Sequence, residues 1–78
     1  MAKYYVESGD FRIIVENRSP VRAAAEALGF AHGVELGPQV IVNERGFISL
    51  RANGQRYVTD LVLETGLLLS LMAEHDLG

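Results

Sequence analysis

Apolar and polar residues alternate on both sides of Gly9 and Asp10, and this pattern leaves the first third of the chain little choice of fold. Tyr4, Val6, Phe11, Ile13 and Val15 interleave with Tyr5, Glu7, Arg12, Ile14 and Glu16, the period of two that marks half-buried strands. Gly9 occupies the first central position of a two-residue turn, where φ must be positive, so a type II′ hairpin is predicted. The turn sets the register: Ser8 faces Phe11, Glu7 faces Arg12, Val6 faces Ile13, Tyr5 faces Ile14, Tyr4 faces Val15 and Lys3 faces Glu16. One face then holds Tyr4, Val6, Phe11, Ile13 and Val15. The other opposes Glu7 to Arg12 and Lys3 to Glu16, and each such pair adds roughly 0.2–1 kcal/mol. A slip of one residue would lose both pairs.

A helix follows over residues 20–28. Ser19 is a good N-cap, and Pro20 falls at the first helical position, where a missing N–H costs little. Val21, Ala24, Ala25 and Leu28 form a narrow apolar stripe, and its alanines let the helix lie close to a sheet. Gly29 is expected to supply a left-handed C-terminal cap, with Phe30 folding back on the last turn.

Residues 30–38 carry Gly33, Gly37 and Pro38 and are expected to form a connection. Val40, Ile41 and Val42 predict a strand over 39–43. Glu44, Arg45 and Gly46 fit a three-residue hairpin loop with Gly46 in the left-handed position, making 47–51 the partner strand. Asn53 and Gly54 are the strongest short hairpin signal and would lead into a short strand at 55–58. Thr59 and Asp60 then resemble a helix start, with Asp60 and Glu64 near the positive end of its dipole. On this reading Leu61, Val62 and Leu63 are helical, and Gly66 ends a first short helix at Thr65. A strand over 57–63 is the competing reading, because Val58, Leu61 and Leu63 do not settle the period. The segment contains Glu64 and cannot span a bilayer, which needs about 20 mostly apolar residues.

These elements predict an α+β fold of order ββαββ(β)α in a single domain over 1–78, with 70–78 as a tail. A right-handed crossover through the helix favours a mostly antiparallel sheet of strand order 2-1-3-4, with helices on one face and 55–58 as a short edge strand. Its core should join Tyr4, Val6, Phe11, Ile13 and Val15 to Val21, Ala24, Ala25 and Leu28, and to Val40, Val42, Ile48 and Leu50.

A chain of 78 residues buries only about 60% of its unfolded surface, so stability should be marginal. Cysteine is absent, which removes disulfides and thiolate chemistry and fits a reducing, cytoplasmic setting. No secretory signal is expected, because residues 1–5 are already strand-like. A net charge of −3 argues against a general polyanion binder. The 49% hydrophobic content is too high for intrinsic disorder. The apolar surplus sits near the C-terminus, in Leu61, Val62, Leu63, Leu67, Leu68, Leu69, Leu71 and Met72. These residues point several ways on a helical wheel and exceed what one small sheet face can cover. Either they are buried on two sides, under the sheet and under residues 30–38, or they form a homodimer or partner interface. Leu67, Leu68, Leu71 and Met72 are the candidate interface there, and Tyr5 and Ile14 form a second apolar pair on the hairpin.

Chemistry is sparse. His32 lies in a glycine-flanked loop, with Glu35 its nearest candidate carboxylate. His75 stands between Glu74 and Asp76, which do not face it on a helix. A general base needs an orienting partner and a pocket that excludes water, so both histidines are expected to be solvated. Glu74, His75 and Asp76 lack the spacing of a structural or catalytic metal site. Ser8, Ser19, Ser49 and Ser70 lie in turn, cap, strand and tail contexts, none at a strand-to-helix elbow. Gly29, Gly33 and Gly37 do not follow a strand, so a nucleotide cradle is not expected. The expectation is therefore a non-enzymatic protein with no cofactor, metal or membrane contact. Arg45, Arg51 and Arg56 are the candidate anion or nucleic-acid contacts. Arg51 and Arg56 would oppose each other across the Asn53 and Gly54 turn, an arrangement that costs stability without a nearby anion or carboxylate.

Two resemblances can be drawn. The run Lys3, Tyr4, Tyr5, Val6, Glu7, Ser8, Gly9, Asp10, Phe11, Arg12, with Asn43, Glu44, Arg45, Gly46, Phe47 and then Thr59 and Asp60, resembles a family of small uncharacterised bacterial proteins seen mostly in planctomycetes. That likeness extends to Leu69 and implies no catalytic residues. Residues 4–28 are more loosely similar to HicB-like antitoxin domains, in which a strand-turn-strand unit feeds an Ala-rich helix. The third strand that those domains place before the helix is missing here.

Overall fold

The structure is a computed structural model that describes residues 1–31, 33–47 and 60–75. Its elements run β1 (Ala2–Ser8), β2 (Phe11–Asn17), α1 (Pro20–Gly29), β3 (Gln39–Asn43), β4 (Leu61–Glu64) and α2 (Thr65–His75). Among the described residues four strands form one sheet in the order β2-β1-β3-β4, each antiparallel to its neighbour. The fold is α+β, as the alternation and capping signals imply.

The hairpin has the register its turn dictates, from Ser8 opposite Phe11 to Lys3 opposite Glu16, and extends to Ala2 opposite Asn17. Gly9 takes a φ of +60°, the conformation that the first turn position requires. β1 is central, with β3 on its other edge: Tyr5 meets Asn43, Val6 meets Val42 and Glu7 meets Ile41.

One sheet face carries Tyr4, Val6, Val15, Val40 and Val42, all buried together with Ala23, Ala24, Ala27, Leu28 and Leu68. Phe11, Ile13, Leu36, Leu61, Leu63 and Met72 pack around this core while keeping some exposure. Ser19 caps α1 by accepting the Arg22 N–H at 3.1 Å. Ala23, Ala24, Ala25 and Ala27 are fully buried, so α1 presses its backbone almost directly onto the sheet. The buried alanine face is wider than the expected stripe, and Val21 is only half-buried at its margin.

Five expectations need correction. Gly29 is not a left-handed cap. α1 includes it, and Phe30 closes the helix in a right-handed conformation at φ −92°. The last turn tightens through Phe30 N–H to Ala27 and Ala31 N–H to Leu28, at 3.0 and 3.1 Å. Phe30 does not fold back, for it stays 62% exposed. The segment after Asp60 is not a helix start. Leu61 and Leu63 turn toward the core and Val62 and Glu64 away from it, a period of two that β3 fixes by pairing Val42 with Leu61 and Val40 with Leu63. Gly66 does not end a helix, since α2 begins at Thr65.

The last correction concerns the fourth strand. The β3 edge assigned to 47–51 is taken by β4, while β1 fills the other edge. Residues 48–59, with Ile48, Leu50, Arg51, the Asn53 and Gly54 turn, the 55–58 strand and Arg56, lie outside the described residues.

Candidate interaction surface

α2 is held at its first residue. The Thr65 N–H donates to the Pro38 carbonyl at 3.0 Å, and its hydroxyl donates to the Gly37 carbonyl at 2.8 Å. Ser8, at the end of β1, places its buried hydroxyl 2.8 Å from the Gln39 carbonyl and 3.2 Å from that of Gly37. The two hydroxyl oxygens lie 3.5 Å apart. Three segments far apart in sequence thus share one hydrogen-bonded knot. It fixes where the chain leaves β4 and which way α2 rotates about its axis.

That rotation decides which leucines are spent on the core. Leu68 points inward and is 1% exposed, and Leu71 and Met72, three and four residues on, are half-buried behind it. Leu67 and Leu69 fall about 100° to either side of Leu68 and are 56% and 46% exposed. Of the candidate interface residues on this segment, Leu68 is therefore core. Leu67 is fully at the surface, while Leu71 and Met72 line the margin. Leu69 belongs to the exposed set and was missing from the expected one. Its position one residue beyond an inward Leu68 would have revealed it only if the start of α2 had been known.

The second candidate pair lies on the sheet face opposite the helices. Ile14 is 48% exposed on β2, and Tyr5 is half-buried beside it on β1. The Tyr5 ring meets Phe47 edge-on at 5.2 Å, and the Lys3 ammonium sits 5.4 Å from the Tyr5 ring centre. On β3, Asn43 stands opposite Tyr5, while Ile41 and the exposed Val62 share this face in register with Glu7.

Arg45 lies exposed in the turn after β3. Asn43 builds that turn, its side-chain oxygen accepting the N–H groups of Arg45 and Gly46, both at 2.8 Å. Gly46 has a φ of +138°, a region where only glycine is at ease. Asn43 is buried, and its amide nitrogen has no hydrogen-bond partner among the described residues. Tyr4, Pro20, Val42, Glu44, Arg45 and Leu61 join Asn43 around a cleft of about 270 Å³. Arg51 and Arg56 are outside the described residues, so of the arginine trio only Arg45 has a place in this geometry.

Among the described residues the chemical candidates do not gather at one place. His32 is outside the described residues, and Glu35 is exposed at the rim of a cleft of about 280 Å³ shared with Gly9, Asp10, Leu36 and Gly37. Ser8 and Ser19 are committed to backbone partners. Among the described residues no three His, Cys, Asp or Glu side chains gather into a metal-binding group, and no helix is long and apolar enough to cross a membrane.

No protein-family model, curated protein or solved structure matches the chain.

Proposed function

We propose that this chain is a small, non-enzymatic interaction module that self-associates through its C-terminal apolar segment, in the cytoplasm. One observation carries the reading: Leu67 and Leu69 stand in solvent on either side of a core leucine, on a helix whose start is pinned by hydrogen bonds. A helix already formed and held at its first residue needs little backbone ordering on docking, and burial of its leucines gains roughly 25 cal/mol per Å² of apolar surface removed from water. Leu71 and Met72 border the same surface. Light scattering on the native chain and on the Leu67→Glu, Leu69→Glu double variant tests the reading. The native chain should gain mass with concentration, and the double variant should lose that part of the association. A native chain of monomer mass at every concentration contradicts it.

A second reading, an antitoxin-like or nucleic-acid-binding regulator acting through Arg45, Arg51 and Arg56, has the exposed position of Arg45 beside the Asn43 cleft in its favour. It requires salt-dependent binding that weakens in Arg45→Ala. Binding unchanged by that substitution ends it.

A further inference from the structure

β2 is an edge strand, with β1 on one side and no described strand on the other. The two-residue turn bonds the Ser8 carbonyl to the Phe11 N–H, so Phe11, Ile13 and Val15 direct their backbone groups at β1. By the alternation of an antiparallel ladder, Arg12, Ile14 and Glu16 direct theirs outward. An outward edge of this length pairs with other chains unless something blocks it. Lysine and proline are the usual blocks, and β2 contains neither.

Its charges are instead arranged to match themselves. When two copies of β2 run antiparallel about a two-fold axis through Ile14, Arg12 of each faces Glu16 of the other, and Ile13 faces Val15. Asp10 and Arg18, just outside the strand, are also brought opposite each other. The hairpin register extends the match. Lys3, Glu16, the second copy's Arg12 and the second copy's Glu7 form one row of alternating sign, and the axis relates it to an identical row. Between the rows, Tyr5, Ile14 and their counterparts form an apolar strip. Other registers lose this. A two-residue shift one way sets Asp10 against Glu16, a shift the other way sets Arg12 against Arg18, and parallel pairing opposes like to like. Like charges directly opposite destabilise a sheet. Arg12 already has a partner within the chain, and its five N–H donors leave room for a second carboxylate.

We propose that the outer edge of β2 is an isologous docking surface for a second copy of this chain, joining the two sheets into one across Ile14. The proposal rests on the reading that the chain self-associates but uses a different surface from α2.

Cysteine scanning in this cysteine-free chain tests it. Ile14→Cys should form a covalent dimer in a thiol-disulfide buffer with an effective concentration roughly tenfold or more above that of Glu64→Cys on the opposite sheet edge. Equal yields from the two overturn the proposal. In the Leu67→Glu, Leu69→Glu background the chain should still dimerise, and adding Ile14→Lys, which sets two ammonium groups together on the axis, should leave a folded monomer by circular dichroism. Association abolished by the leucine changes alone, with Ile14→Lys in the native chain having no effect, sinks this proposal and spares the α2 reading. A native chain that never associates sinks both.

Discussion

Gly9 and Gly37 meet backbone to backbone: a Cβ built on Gly37 would stand 2.7 Å from the Gly9 nitrogen, and one on Gly9 would stand 2.9 Å from the Gly37 nitrogen. The hairpin turn therefore rests on the loop that leads into β3, and the carbonyl of that same Gly37 accepts the Thr65 hydroxyl. Gly37→Ala forces two stretches of backbone apart and should cost roughly 1–3 kcal/mol, the range for overpacking. Gly9→Ala adds the strain of a positive φ. Urea denaturation checks both. An unchanged midpoint for Gly37→Ala would mean that the turn and the loop are not in contact.

Ser8 and Thr65 place neighbouring hydroxyls on the same Gly37 carbonyl. Ser8→Ala and Thr65→Val should each cost roughly 1–3 kcal/mol, because each removes a hydrogen bond from a buried hydroxyl to a partly buried carbonyl. Their double variant should cost less than the sum, with a coupling of at least about 0.5 kcal/mol. Thr65→Ser, which keeps the hydroxyl, should be close to native. Strict additivity in the cycle would dissolve the knot.

Two other glycines have the opposite sign. Neither Gly29 nor Gly66 has a positive φ, and a Cβ at either meets nothing within 4 Å. Alanine at each should stabilise by roughly 0.4–1 kcal/mol through the unfolded chain. The Gly29→Ala result is decisive for the end of α1, since a left-handed cap there would make alanine destabilising.

Much of this fold was legible in the sequence, and the reason is locality. The register from Ser8 to Lys3 and the Ser19 cap follow from a turn, a period and a cap within a few adjacent residues, and the β2-β1-β3 order follows from the handedness of the crossover, whereas the fourth place in the sheet belongs to Leu61–Glu64 and not to 47–51. Between the helix and the competing strand over 57–63, Leu61, Val62 and Leu63 suit either period, and the choice of strand at Leu61–Glu64 is made by β3, about 20 residues away in sequence. The expected cap at Gly29 failed for a related reason: glycine permits a left-handed turn without requiring one. On the surface, Tyr5, Ile14 and Leu67 were found as apolar residues without an obvious place in the core. Leu68 was wrongly grouped with them because the rotation of α2 depends on Thr65 reaching Gly37, a contact with no local signature.

The leucines of α2 should separate cleanly by role. Leu68→Ala should cost roughly 2–5 kcal/mol of stability, since it empties a fully enclosed site. Leu67→Ala should fall within about 0.5 kcal/mol of native in the monomer while weakening self-association. Thermal melts at low protein concentration, paired with light scattering at high concentration, separate the two effects. Comparable losses of stability at the two positions would refute the assigned rotation.

Sedimentation equilibrium of the unmodified chain, across a wide range of loading concentration, bears most directly on the idea of a self-associating module. The weight-average mass should climb from 8.5 kDa toward multiples of it as concentration rises. A mass fixed at 8.5 kDa throughout would contradict the account.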